Sequence, residues 1–261
     1  MKVILNADDF GASEETLRAT IECFEANALT GATIMVGMEQ TGAAVAYAKA
    51  HPEYAFGLHL RLVADGGARP LAGPEAVPAL VDEDGRFLPA RSVRLLALRG
   101  RLPAEQLERE IAAQLGVLVR AGIPISHVDS HKHVHKLPQV AAALGRTLPR
   151  FGITRVRAVQ NVYLKRPLRK PTYWIGPAWQ RGLAAAFQTT SYMYMPSSAH
   201  DVAWSTPLLA RCERLNGGVL EIGVHPGYAS EAWRDEERRS VLEFAAGARA
   251  AGHELISWRS F

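Results

Sequence analysis

Acidic and imidazole side chains recur in four short segments of this 261-residue chain. They are NADDFG with Asp8 and Asp9, GLHL with His59, HVDSHKH, and VHPG with His225. The third segment lies within ISHVDSHKHVHKL, a run with four of the chain's nine histidines. One Asp and two His can bind a divalent ion and leave positions open for water and substrate. These residue types therefore indicate a metal site that does hydrolytic chemistry.

The same residues suit hydrolysis of an amide. A bound divalent ion lowers the pKa of its water and polarises a carbonyl. Of two adjacent carboxylates, one can stay ionised on the metal while the other takes the proton of the water, and a histidine can protonate the leaving amine. A serine hydrolase is not indicated, because the chain has no GxSxG motif. Cys23 and Cys212 stand far apart and beside no histidine, which argues against disulfides and a thiolate nucleophile.

Each segment also has a simpler explanation when it is taken alone. The histidine run is compatible with a solvated turn, and His59 with a hydrogen-bonded core residue. The DDFG segment is compatible with a helix N-cap, because Glu14 and Glu15 follow in the first turn. His225 precedes Pro226 and Gly227, which are common in turns. One shared site explains all four segments at once.

Strands and helices alternate along the chain. The predicted strands are Val3–Asn6, Ala32–Val36, Ala55–Leu60, Ile125–Asp129, Thr154–Val159, Ser191–Met195, Val219–Val224 and Glu254–Trp258. The clearest predicted helices are Glu14–Ala28, Pro103–Arg120, Pro138–Arg150 and Trp233–Ala250. Seven or eight βα units in one domain imply a parallel sheet, closed as a barrel or doubly wound. In (β/α) barrels the chemistry lies at the C-terminal ends of the strands, where the four segments fall.

Two long irregular stretches are predicted, at residues 63–92 and 160–177, and such loops are often lids or binding loops. The second contains the basic run LKRPLRKP, residues 164–171, as either a solvated loop or a rim for an anionic ligand or a membrane surface. Aromatic residues cluster in the same region, either as core residues or as a grip on substrate: Tyr163, Tyr173, Trp174, Trp179, Tyr192, Tyr194 and Trp204.

Composition excludes several classes of protein. The 30 Lys and Arg residues are interspersed with 26 Asp and Glu residues, so a dedicated nucleic-acid binder is not indicated. No apolar stretch approaches 18 residues, so no membrane-spanning helix is expected. The short apolar run in MKVILNADDF has no secretory character, which predicts a cytoplasmic protein. The oligomeric state stays open.

The motifs NADDFG, GLHL, HVDSHKHVH and HPG, in this order, resemble those of the YdjC-like carbohydrate deacetylases. This family includes chitooligosaccharide deacetylase and a hopanoid-biosynthesis-associated deacetylase. The segment VPALVDEDGRF, residues 77–87, is more similar to the second branch. The resemblance implies an α/β fold, a single-domain distorted TIM-like (β/α) barrel of seven or eight parallel strands over residues 1–261.

The resemblance also implies an activity and residue roles. The activity is removal of an acetyl group from an N-acetylated amino sugar, in a small molecule, oligosaccharide or glycolipid, with one divalent ion, Zn²⁺ or Mg²⁺. Asp9, His59 and His131 would bind the metal, Asp8 would be the general base, and His225 would be the general acid. The roles of the remaining clustered histidines, His127, His133 and His135, stay open. If the strand runs straight through this segment, alternation places His127, Asp129 and His131 on one face, so Asp129 could orient a histidine.

Two alternatives remain. A metal-dependent phosphoesterase also uses Asp and His, but it needs Arg or Lys near the metal, and the run Lys165–Lys170 is the only candidate that the sequence offers. A non-catalytic sugar-binding protein on the same fold would be expected to lack at least one site residue, yet all five are present.

Overall fold

The structure is a computed structural model that describes residues 1–64, 67–196 and 203–261. Its described residues form seven strands: β1 (Lys2–Phe10), β2 (Gly31–Ile34), β3 (Ala55–Leu60), β4 (Val128–Ser130), β5 (Tyr192–Tyr194), β6 (Val219–Val224) and β7 (Glu254–Leu255). They also form the helices α1 (Glu14–Glu25), α2 (Thr41–Ala50), α3 (Ala90–Leu98), α4 (Ala104–Arg120), α5 (Pro138–Thr147), α6 (Pro171–Ala186), α7 (Ser205–Cys212) and α8 (Ala232–Ala250).

Every strand pair in the sheet is parallel, in the order β4-β3-β2-β1-β6-β5, and β7 pairs with the first residues of β1. The sheet is curled into a barrel. Three strands separate β4 from β6 along the sheet path, which at about 4.8 Å per step is roughly 19 Å in a flat sheet. Nevertheless the Arg157 guanidinium lies 2.7 Å from Asp129 of β4 and 2.7 Å from Glu221 of β6. The prediction of a distorted parallel barrel is confirmed.

The predicted strand Thr154–Val159 is wrong as a regular strand. Its backbone makes isolated parallel bridges, Val128 with Val156 on one side and Arg155 with Gln188 on the other. The N–H of Val128 donates to the Arg155 carbonyl, and the N–H of Val156 donates to the Gln188 carbonyl. β4 is only three residues long and Gln188 precedes β5, so no ladder of consecutive pairs can form. The segment still bridges the gap between β4 and the chain that leads into β5.

Burial on both faces explains the continuous apolar character of the central strands. In β3 and β6 every residue is buried, and in β1 every residue after Lys2 is buried. Parallel sheets are covered by helices outside and by side chains inside, so their strands lack polar alternation. A charged residue within such a strand is therefore buried and needs a charged or polar partner inside the fold.

The predicted helices are present with shifted ends. α1 begins after Ser13, whose hydroxyl accepts from the Thr16 N–H in a capping box. The DDFG segment is therefore not the N-cap, and this explanation of Asp8 and Asp9 is wrong.

The second predicted loop, residues 160–177, is shorter than expected, because α6 begins at Pro171 and contains Pro177. A proline suits the first turn of a helix, where its missing N–H has no partner to lose. The first loop, residues 63–92, includes two short 3₁₀ turns, and the buried Glu110 carboxylate accepts from the N–H groups of Leu71 and Ala72. The stretch from Met193 to Trp204 lies partly outside the described residues. None of the described helices has the length and hydropathy needed to cross a bilayer.

Candidate metal and catalytic site

Asp8 and Asp9 both face the interior of the barrel at the end of β1, although successive side chains of a regular strand point to opposite faces. The pairing register between β1 and β2 shifts between Ala7 and Phe10. Within this irregularity Asp9 has a left-handed backbone, with a φ of 56°. Aspartate tolerates that conformation better than most other non-glycine residues. The bulge therefore lets two adjacent carboxylates reach one site.

Asp9, His59 and His131 converge at the strand ends and are all buried. Oδ1 of Asp9 lies 3.2 Å from Nε2 of His59 and 3.2 Å from Nδ1 of His131. Nε2 of His59 makes no well-aligned hydrogen bond, so it faces a point that it shares with the other donors. Two donors bound tetrahedrally to one ion at about 2.1 Å are roughly 3.4 Å apart. The three side chains therefore fit a divalent ion.

A second group with metal-ligand spacing consists of Asp8, His59 and Asp129. Its two carboxylates already share a cation, because Nη1 of Arg157 lies 2.5 Å from Oδ2 of Asp8 and 2.7 Å from Oδ2 of Asp129. A divalent ion at this position would lie beside a guanidinium. The set that contains Asp9 is therefore the better metal site.

His59 is held by a carboxylate on the neighbouring strand. His59 and Asp129 are register partners on β3 and β4, and Nδ1 of His59 lies 2.8 Å from Oδ1 of Asp129. Thr33 donates to the other oxygen of Asp129 at 3.0 Å. A carboxylate behind a ligating imidazole fixes the proton on one nitrogen and leaves the other for the ion. Sequence analysis suggested that Asp129 orients a histidine, and the structure identifies this histidine as His59.

Electrostatics at His59 favour a positive charge. Burial by itself lowers the pKa of His59, but the carboxylates of Asp129 and Asp9 outweigh it and raise the pKa to about 10. The same two carboxylates that attract a proton to this imidazole also attract a metal cation. A proton and an ion therefore compete for Nε2, as is usual at histidine sites for metals.

Arg157 organises the carboxylates beside the metal set. It is fully buried, binds both oxygens of Asp8 and also lies 2.7 Å from Glu221. Asn6 donates to Oδ1 of Asp8 at 3.1 Å. Burial opposes ionisation of Asp8, but the guanidinium dominates and holds the pKa of Asp8 well below its usual value. At Glu221 the balance is opposite, and burial raises the pKa to about 7 despite Arg157.

His225 follows β6 and approaches Asp8 from the other side. Nδ1 of His225 lies 3.1 Å from Oε2 of Glu237, which also accepts from the His225 backbone N–H at 2.7 Å. Nε2 of His225 lies 3.9 Å from Oδ2 of Asp8. Burial lowers the pKa of His225, but Glu237 outweighs this effect, so the pKa lies above its usual value. An imidazole held this way can carry a proton to the site.

Arg234 of α8 binds the remaining oxygen of Asp9, with Nη2 at 2.8 Å from Oδ2. Its guanidinium carbon lies 4.6 Å from the centre of the Trp233 ring. This contact leaves Oδ1 of Asp9 directed to the two histidines. The expectation that only Lys165–Lys170 could place a cation near the metal is wrong, because Arg157 and Arg234 both lie at the site.

The other three histidines of the cluster lie outside the metal set. His127 stacks on Trp258 with ring centres 4.4 Å apart. His135 is tied to the turn by the Ser130 hydroxyl, 2.7 Å from its Nδ1. His133 is partly buried and has a left-handed backbone, with a φ of 55°. His131 is the first residue of the turn that follows β4, and it is the imidazole of this run that joins the metal set.

Four polar residues of the site were missed in the sequence. Arg157 and Glu221 had a usable signal, because each interrupts an apolar run, TRVRAV and VLEIGV, that burial on both faces would leave uncharged. Arg234 and Glu237 had none, because α8 is rich in charged residues and its sequence does not show which of them turn inward.

Comparisons with known proteins find a family and relatives that match nearly the whole chain. Residues 2–254 match the family described as YdjC-like protein. A carbohydrate deacetylase of Geobacillus stearothermophilus is 37% identical, with 99% of this chain and 97% of the relative covered. A carbohydrate deacetylase of Brevibacillus brevis is 31% identical, with 89% of this chain and 84% of the relative covered.

A solved structure from Enterococcus faecalis, named in provisional terms as a cellobiose-phosphate cleavage protein, has the same fold. It superposes with a TM-score of 0.78 at 22% identity and covers 99% of this chain and 98% of its own. At this identity the likeness concerns the fold alone.

Proposed function

The chain belongs to the YdjC-like family, and on this premise we propose that it is a metal-dependent deacetylase that removes the N-acetyl group from an N-acetylated amino sugar. The observation that carries the proposal is the convergence of Asp9, His59 and His131 beside a carboxylate and an imidazole, Asp8 and His225, that do not belong to the ligand set. Hydrolysis of an amide needs both kinds of group at once. A divalent ion held by the three ligands would supply a water of lowered pKa and a polarised carbonyl.

The chain's own residues would handle the protons. Arg157 occupies one lone pair on each oxygen of Asp8, and a carboxylate offers about four. Oδ2 of Asp8 therefore keeps an acceptor position on the His225 side for a water proton. Arg157 also keeps Asp8 ionised throughout the neutral range. His225, protonated with the help of Glu237, would donate to the nitrogen of the leaving amine.

The donor set favours Zn²⁺ over Mg²⁺, because two of the three ligands are imidazoles and Mg²⁺ prefers oxygen. We propose Zn²⁺ as the first candidate and Mg²⁺ as the second. The cytoplasmic location expected from the N-terminal sequence stays a prediction.

Phosphoester hydrolysis is the second candidate function, favoured by the two arginines at the site. Both guanidiniums are already paired with carboxylates, however. Arg157 contacts three carboxylates and Arg234 contacts Asp9 and Glu231. Arg157 could not turn to a phosphate without losing such a contact, whereas Nη1 of Arg234 has no hydrogen-bond partner among the described residues and is the nitrogen that a phosphate would meet. The amide substrate is preferred because the sequence relatives are carbohydrate deacetylases.

An assay of the purified protein separates these functions. We expect acetate release from N-acetylglucosamine oligomers or from an acetamido glycolipid, loss of this release with a chelator, and recovery with Zn²⁺. A generic phosphoester should not be hydrolysed under the same conditions. Chelator-sensitive phosphate release without acetate release would reject the deacetylase. Sugar binding without turnover in the metal-loaded protein would favour the non-catalytic alternative.

The alkaline limb of the pH profile is expected to report His225. Its pKa lies above the usual value, so the protonated donor is present below that pKa and is lost as pH rises through it. Glu237→Gln removes the carboxylate and leaves the burial, so the alkaline limb of kcat/KM should move to lower pH. Glu236→Gln is the matched control, because Glu236 accepts from the Ala203 N–H instead. A limb that does not move in Glu237→Gln would assign the proton donor elsewhere.

A further inference from the structure

We propose that one side of this barrel docks on the surface of a bilayer that contains anionic lipids. The docking face consists of α3 and residues 164–175. Among the described residues seven large hydrophobic side chains are exposed, and five of them lie on this face: Leu95, Leu98, Leu168, Trp174 and Ile175. Leu98 is 76% exposed and Trp174 is 64% exposed. Exposed apolar side chains concentrated on two elements mark an interaction surface.

The two elements form one continuous face. A cavity of about 1000 Å³ is lined by Arg94 and Leu98 from α3 and by residues 165–172 and Ile175 from the other side. Trp174 is tied to the same segment, because its Nε1 donates to the Leu168 carbonyl at 3.0 Å. Three of the five exposed apolar side chains, Leu98, Leu168 and Ile175, therefore line a single cavity.

The charged side chains of the docking face are all positive. Residues 130–200 contain eleven Lys and Arg residues and neither Asp nor Glu, although the whole chain has 26 acidic residues. The lining of the cavity includes six cations and no described carboxylate: Arg94, Lys136, Lys165, Arg166, Arg169 and Lys170. None of the six forms an ion pair with a carboxylate of the described residues. Burial together with Arg94 and Lys170 lowers the pKa of Lys136 to about 8, which fits a cluster of cations without counter-charges.

The exposed apolar side chains and the cations of the docking face together indicate which kind of partner it binds. A second copy of the chain would place cations against cations if the two faces met, so self-association through this face is disfavoured. Exposed Leu and Trp interleaved with Lys and Arg suit the interface of an anionic bilayer, where apolar side chains enter the headgroup region and cations meet lipid phosphates. The cavity mouth would then open towards the lipid surface.

Vesicle binding without any sugar substrate tests the docking independently of the enzyme activity. We expect the protein to co-sediment with vesicles of phosphatidylcholine and phosphatidylglycerol at about 7:3, and far less with phosphatidylcholine alone. Replacing the four cations of the run with glutamine should lower the partition coefficient about 10³-fold, since each cation near such a surface contributes about 1 kcal/mol. These substitutions are Lys165→Gln, Arg166→Gln, Arg169→Gln and Lys170→Gln.

A matched control removes the same charge elsewhere, at the C-terminal ends of α2, α4 and α7. These helix ends precede strands, so they lie at the opposite end of the barrel from the docking face. The control substitutions are Lys49→Gln, Arg120→Gln, Arg211→Gln and Arg214→Gln, all at exposed positions. The control should bind vesicles much more tightly than the first variant, and circular dichroism melting should show that both are folded.

The exposed apolar side chains of the docking face can be tested separately from its cations. Because Trp174 is exposed, its fluorescence should shift to shorter wavelength with anionic vesicles, and Trp174→Phe should remove that shift. Leu98→Ser should weaken binding with no change of charge. The proposal is overturned if the wild type does not sediment with anionic vesicles, or if the two four-site variants lose binding equally. Binding to soluble polyglutamate but not to vesicles would replace the bilayer with an acidic protein partner.

Discussion

Replacing His59 or His131 with alanine is expected to remove bound metal and activity together. Each histidine supplies one of the three donors that surround a common point beside Oδ1 of Asp9. A site with two remaining ligands should not retain the ion through purification. Because Lewis-acid stabilisation is worth several kcal/mol, deacetylation should fall about 10³-fold or more.

Metal content and melting temperature of each purified variant test this expectation. His133→Ala is the matched control, since His133 lies in the same turn but outside the ligand set. It should keep the metal. The variants should stay folded, because the site lies at the strand ends and the hydrophobic core does not include these imidazoles. Full metal occupancy in both His59→Ala and His131→Ala would reject the assignment.

Asp8→Asn should give the opposite pattern, with the metal retained and turnover lost. The amide has the size of the carboxylate but cannot accept the water proton, and a general base contributes about 10²-fold to 10⁴-fold. Asp9→Asn should instead lose the metal, because Oδ1 of Asp9 is the donor shared by both histidines. The adjacent carboxylates thus have roles that a single pair of variants can separate.

Folding must be controlled in Asp8→Asn, because Arg157 loses one of its charged partners. Arg157 keeps Asp129 and Glu221, so the loss in free energy of unfolding should stay near 1–3 kcal/mol, the usual cost of a weakened buried hydrogen-bonding partner. Metal content, turnover and urea unfolding of the two variants complete the test. If Asp8→Asn lost the metal and Asp9→Asn kept it, the two roles would be reversed.

The docking face and the catalytic site use charge in different ways. At the site every guanidinium is matched by carboxylates, as Arg157 is by three. Around the cavity mouth six cations have no described carboxylate as a partner. Salt should therefore weaken vesicle binding strongly, because exposed charges are screened beyond about 10 Å at 0.1 M ionic strength. The buried pairs of the site should respond much less.

The sequence by itself determined the alternation of strands and helices and the parallel character of the sheet. Apolar runs of strand length between amphipathic helices have few other solutions, because a parallel strand is buried on both faces. Asp8, Asp9, His59, His131 and His225 could be found from the sequence because each lies at or just after a strand end. The C-terminal ends of parallel strands meet at one end of a barrel.

Only the tertiary structure decided which groups these residues lie beside. The bulge that turns Asp8 and Asp9 to the same side depends on the register between β1 and β2, which local sequence does not encode. The partners of the site come from distant positions, Arg157 from an irregular segment and Glu237 from α8. Which carboxylates a basic side chain pairs with depends on which of them the folded barrel brings close to it. Such pairs join residues far apart in the chain, so they follow no sequence period.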